Sequence, residues 1–162
     1  MEQGPLSVGS SEHTMIYDPE TDPKRPGALR PSVLLIEDDP ETQTTLARAL
    51  TDSGARVVGT GSGEAALALM AEWPAGVVVV SDGIAGMSGL EVARRIHVSS
   101  PGTPIVLLRE RAEEKESEAK DLAARVAGVF ATLTRPLRAG VFDRQRLAEL
   151  VVALIVLSDV VS

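Results

Sequence analysis

The chain holds 162 residues, enough for one domain and a short appendage. Hydrophobic residues make up 44% and aromatics only 2%, so a core must be built from Val, Leu, Ile and Ala. Cysteine is absent and the only histidines are His13 and His97, which excludes disulfides, thiol chemistry and histidine-rich metal clusters. A formal net charge of −7 argues against nucleic acid as a partner.

Residues 1–31 carry five prolines among Gly, Ser, Asp and Glu. Such a segment buries too little apolar surface to offset its ordering entropy and is expected to be a disordered tail. The alternative is a short docking segment around Met15, Ile16 and Tyr17. No apolar signal-peptide core is present in this stretch. The longest apolar run, Leu150 to Leu157, falls far short of the roughly 20 residues that span a bilayer. The expectation is a cytoplasmic protein without membrane insertion.

From Ser32 the pattern changes. Val33 to Ile36 is an apolar run of strand length, closed by Glu37, Asp38 and Asp39. Asp39 is placed to cap a helix that opens at Pro40 and ends near Gly54. Arg56 to Val58 reads as a second strand. Ser62 caps a helix carrying Leu67, Met70 and Trp73, which Pro74 terminates. Val77 to Val80 is apolar at every position, as in a parallel strand buried on both faces. A loop from Ser81 to Ser88 precedes a helix with Leu90, Ala93 and Ile96. Ile105 to Leu108 is a fourth strand, followed by a charged stretch from Arg109 to Asp121. Val129 to Leu133 is a fifth, and a last helix runs from about Asp143 to Val156. Gly59, Gly61 and Gly63 lack the spacing of a dinucleotide fingerprint and read as a turn.

Five strands alternating with five helices predict an α/β domain with a five-stranded, doubly wound parallel sheet, spanning 32–157, with 158–162 as a C-terminal tail. Sites in such folds lie at the carboxyl ends of the strands, which directs attention to Glu37, Asp38, Ser81, Asp82, Arg109 and Arg135.

Five segments, in order and each on the expected element, give the chain a family likeness. They are Val33 to Pro40, Gly63 to Leu67, Gly86 to Val92, Pro104 to Leu108 and Leu133 to Pro136. The chain resembles the receiver domain of bacterial two-component response regulators, a flavodoxin-like (βα)5 fold. The resemblance implies an acidic pair that holds Mg²⁺, here Glu37 and Asp38. It implies a phospho-accepting aspartate after the third strand, a Ser or Thr after the fourth, and a Lys and an aromatic on the fifth. Ungapped counting puts Ser81 at the acceptor position, with Asp82 as the alternative. Arg109 stands at the Ser/Thr position, Arg135 at the Lys position and Thr132 at the aromatic position. A serine hydroxyl is neutral and a weak Mg²⁺ ligand, so no resident metal or cofactor is expected; any retained Mg²⁺ would sit on Glu37 and Asp38.

These departures point to a degenerate, stand-alone pseudo-receiver: not an enzyme, but a phosphorylation-independent protein-interaction module in bacterial signalling. Two alternatives stand beside it. One is a conventional acceptor using Asp82 with Mg²⁺; the other is a small-anion sensor between Arg109 and Arg135. Arg109 and Arg135 are expected to neutralise Glu37 and Asp38 inside the pocket. Leu147, Leu150, Val151, Leu154 and Ile155 make the final helix apolar over a broad surface, which suggests a protein partner or a homodimer contact there.

Overall fold

The computed structural model describes residues 6–8, 11–22, 24–110, 114–135 and 147–156. Its strands are β1 (Leu6–Val8), β2 (Ser11–Ile16), β3 (Val33–Ile36), β4 (Val57–Thr60), β5 (Val77–Ser81), β6 (Ile105–Glu110) and β7 (Ala131–Arg135). The helices are α1 (Pro40–Asp52), α2 (Gly63–Glu72), α3 (Gly89–Ser99), α4 (Glu114–Val126) and α5 (147–156). Among the described residues no helix is long and apolar enough to cross a membrane.

Polar caps start the helices where the sequence places them. The side chains of Asp39, Ser62 and Ser88 accept from the amides of Thr42, Ala65 and Glu91 at the openings of α1, α2 and α3. The charged stretch keeps its helix: α4 runs unbroken from Glu114, while Arg109 and Glu110 extend β6.

The parallel strands lie in the order β4-β3-β5-β6-β7, the doubly wound order in which the chain reverses direction beside β3. Alternate residues of each strand feed two cores. Leu34, Ile36, Val78, Val80, Ile105 and Leu107 pack beneath α2, α3 and α4. Val33, Leu35, Val77, Val79, Val106 and Leu108 pack against α1 and α5. This parity decides where every residue just beyond a strand end points.

Among the described residues the sheet has seven strands, not five. The additional two come from the segment expected to be a tail. β2 pairs antiparallel with the outer edge of β4, joining Thr14 to Thr60, Met15 to Gly59 and Ile16 to Val58, and β1 pairs with β2. Thr14 and Ile16 are buried, and the amide of Tyr17 donates to the Val57 carbonyl. Residues 14–16 thus form part of a strand of the chain's own sheet, where the open edge of β4 supplies the backbone partners that the segment lacks alone.

The final helix also departs from expectation. Leu147, Val151 and Leu154 are buried in the core beside α1, and Leu150 and Ile155 pack partly buried against it. These side chains are core rather than an open contact face. Leu147, Ala148, Val151 and Leu154 share one buried cluster with side chains of β3, β5 and β6, while Val156 is exposed.

Candidate functional site

The carboxyl ends of β3 and β5 bring Glu37 and Ser81 together. Glu37 follows Leu35 in parity and Ser81 follows Val79, so both side chains lie on the α1 side of the sheet. Ser81 Oγ donates to Glu37 Oε1 at 2.5 Å, and the Asp39 amide donates to Oε2 at 3.0 Å. Glu37 is 2% exposed and Ser81 is fully buried. A buried carboxylate needs such donors, since its desolvation is otherwise very costly.

Asp38, one residue on, has the opposite parity and is exposed. Its Oδ2 accepts from the Ala85 amide at 2.9 Å, which ties the loop after β5 to the end of β3. Asp39 caps α1 and takes a further bond from the Thr42 hydroxyl. The three consecutive acids thus have three different tasks.

Asp82 lies in the turn beyond β5, partly exposed. Its amide donates to the Leu108 carbonyl and its own carbonyl accepts from the Gly89 amide. It follows Val80 in parity, away from Glu37. Ser81, rather than Asp82, is the residue bonded to Glu37.

Arg109 does not meet Glu37 or Asp38. It continues the Ile105, Leu107 alternation and so extends under α4. It is 5% exposed, and its Nη2 lies 2.6 Å from Asp121 Oδ1. Nη1 is buried with no hydrogen-bond partner among the described residues. The expected neutralisation of the acids by Arg109 is therefore corrected: strand alternation sends the guanidinium to the other face of the sheet. Arg135 ends β7, its backbone in register with Glu110; its side chain falls outside the described residues. Thr132 sits within β7, partly buried, in register with Leu107.

One residue not singled out from the sequence, Gln43, completes the surroundings. Gln43 is buried on α1; its Nε2 donates to the Glu37 carbonyl at 2.9 Å, and its Oε1 accepts from the Tyr17 hydroxyl at 2.6 Å. The N-terminal extension is thereby one side chain away from the acidic pocket. Burial pushes the Tyr17 phenol above its usual value, opposed by contacts with Thr44 and Arg48. Gly59 makes the arrangement fit: a Cβ there would lie 2.5 Å from Gln43 Oε1 and 3.0 Å from the Tyr17 ring. Gly59 belongs to β4 and Gly63 to α2, so the Gly-x-Gly-x-Gly run marks close approaches rather than a turn. A glycine opposite an amide-bearing helix position was the available signal.

The donor set does not suit a resident divalent cation. Glu37 and Asp38 have oxygens committed to Ser81 and to the amides of Asp39 and Ala85, and Ser81 adds a neutral hydroxyl where a hard cation would require a carboxylate. Among the described residues no group of three or more His, Cys, Asp and Glu is disposed to hold a metal.

Comparison with known proteins agrees with this geometry. Residues 33–145 match the family model described as the response regulator receiver domain. Over 84 residues the chain is 40% identical to the transcriptional regulatory protein AfsQ1 of Streptomyces coelicolor, covering 52% of this chain and 37% of AfsQ1. Over 124 residues it is 36% identical to the virulence sensor protein BvgS of Bordetella pertussis, covering 74% of this chain and 10% of BvgS. The chain thus spans only a fraction of either relative. Among solved structures, a CheY-like response regulator receiver domain protein from Methanospirillum hungatei superposes with a TM-score of 0.68. It shares 17% identity and covers 80% of this chain and 97% of that one. A structure described as adenylate cyclase from Rhodopirellula baltica has a TM-score of 0.67 at 27% identity, covering 82% of this chain and 93% of that one.

Proposed function

The chain belongs to the response regulator receiver domain family, and we propose that within it this member is a non-enzymatic, phosphorylation-independent interaction module in two-component signalling. One observation carries the reading. Position 81, which ungapped counting aligns with the family's acceptor, is a serine whose hydroxyl is already donated to Glu37. A carboxylate nucleophile is negatively charged and can form an acyl phosphate; a neutral hydroxyl bound to a neighbouring acid has neither property. The donor set around it supports the same conclusion, because no strong Mg²⁺ seat remains to balance an incoming phosphoryl group.

Asp82 is the rival acceptor. Its opposite parity puts its carboxylate away from Glu37, and this supports the leading reading over the rival. The test is intact-mass measurement after incubation with Mg²⁺ and acetyl phosphate, with Asp82→Ala alongside. No adduct on either protein is expected. A phosphoryl adduct that disappears in Asp82→Ala would overturn the proposal and make the protein a working switch.

A second reading, an anion sensor, draws on the buried and unpaired Nη1 of Arg109. A thermal-shift screen with small carboxylates and phosphates tests it; loss of any hit in Arg109→Met would favour it.

A further inference from the structure

A cavity of about 370 Å³ opens at the pole of the sheet opposite Ser81 and Glu37. Ser32, Arg56 and Gly76 line it just before β3, β4 and β5 begin, whereas Glu37 and Ser81 stand at the far ends of β3 and β5. Its volume lies within the range of small-ligand sites. Pro74 and Ala75 form one apolar wall, and Val152 and Ile155 of α5 form another.

The charge of this cavity runs against that of the chain. The net charge is −7, yet the charged side chains that line the cavity are Arg30 and Arg56. Asp52 and Glu72 end the neighbouring helices, but among the described residues no ion pair involves either arginine. Arg56 is held in place by its surroundings. Its amide donates to Ser32 Oγ at 2.6 Å, and its carbonyl accepts from the same hydroxyl at 3.2 Å. Its Nε donates to the Arg30 carbonyl at 3.1 Å. One edge of the guanidinium is thus occupied, and its two terminal nitrogens have no partner among the described residues. Such a fork matches the two oxygens of a carboxylate.

The carboxyl ends of α1 and α2 also point toward this pole, and a helix end of that kind favours cations. Their last carbonyls are already used. Leu50 and Thr51 accept from the amides of Ser53, Gly54 and Ala55, and Leu69 accepts from Trp73. The strong polar groups left over at the cavity are therefore donors, and the rest of its wall is apolar.

We propose that this cavity binds a small organic acid, its carboxylate held by Arg56 and Arg30 and its apolar body laid against Pro74, Val152 and Ile155. The site is separate from the Ser81–Glu37 pocket and from Arg109, and it stands whether or not the protein accepts a phosphoryl group.

The test is equilibrium dialysis of the full chain against labelled hexanoate, with hexanamide and inorganic phosphate as competitors. Trp73, the sole tryptophan, precedes Pro74 of the cavity wall and reports the location by fluorescence. Hexanoate should bind saturably with a Kd below about 1 mM and change the Trp73 emission. Hexanamide lacks the charge and phosphate lacks the apolar body, so each should compete at least tenfold more weakly. Arg56→Gln and Arg30→Gln should each weaken hexanoate roughly tenfold, with far-UV circular dichroism verifying the fold. Arg30 is exposed, so its substitution leaves the core untouched. Arg109→Met should bind as the wild type does. No saturable binding by the wild type, a competitor as tight as hexanoate, or binding indifferent to both arginine substitutions would each overturn the proposal.

Discussion

Replacing either member of the Arg109–Asp121 pair should have opposite consequences. Arg109 has a side chain 6% exposed, whereas Asp121 is 56% exposed. Asp121→Asn keeps the shape but leaves a buried guanidinium without its counter-charge. Breaking a fully buried pair costs about 3–5 kcal/mol; because water reaches the Asp121 side, about 1–3 kcal/mol is expected. Arg109→Met removes the buried cation itself. The lost attraction is that of a half-exposed pair, about 0–1 kcal/mol. Against it stands relief of the unpaired Nη1, a buried donor whose desolvation costs about 1–3 kcal/mol. The methionine also retains most of the apolar stem. Arg109→Met should therefore be neutral to about 2 kcal/mol more stable than wild type. Urea unfolding followed by far-UV circular dichroism, with equal slopes required for comparison, measures both variants. In a chain of this size each kcal/mol moves the thermal midpoint by about 2–4 °C. If Arg109→Met is the more damaging substitution, the pairing logic and the orphaned nitrogen are both refuted.

Three further outcomes follow from the geometry. Ser81→Ala deprives the buried Glu37 carboxylate of a donor and should lower stability by about 1.5–3 kcal/mol, measured by the same unfolding assay. Tyr17 is the only tyrosine, so its ionisation can be followed by absorbance. Its folded pKa lies above the ordinary 10.0, so its contribution is fully present below about pH 10 and is lost as pH rises through the folded value. Detachment of β2 should accompany that titration, and Gln43→Leu should shift the transition to lower pH; a phenol titrating at the ordinary value would contradict the burial. Finally, a Cβ at Gly89 would collide with the Ser81 carbonyl, a backbone atom that cannot rotate away, whereas none of the surroundings crowd Gly102. Gly89→Ala should therefore be far less stable than Gly102→Ala in a thermal melt.

The parallel sheet was legible because its strands are uninterrupted apolar runs, and the helix starts because Asp39, Ser62 and Ser88 are caps whose geometry needs only local sequence. The pairing of Ser81 with the acidic pocket followed from register. The N-terminal strands were not legible: Ser11 to Ile16 has no apolar run, and its extended state comes from the edge of β4 rather than from its own preference. Arg109 was assigned to the right strand end but the wrong face, since likeness to a family names positions and only alternation along β6 names sides. α5 misled for a different reason. Its wide apolar surface is the requirement of a helix that spans several strands at once.

The attachment of β2 has a consequence for how force and time act on the molecule. Its residues pair with partners more than forty positions later in the chain, while β3 and α1 lie between. In a growing chain β2 precedes β4, so it can pair with β1 but cannot join the sheet until the second parallel strand has been laid down. The attachment of β1 and β2 to the sheet thus depends on β4 being in place. Tension applied at the N-terminus would reverse that order, peeling β1 and β2 from the edge one hydrogen bond at a time while the parallel strands beneath still hold.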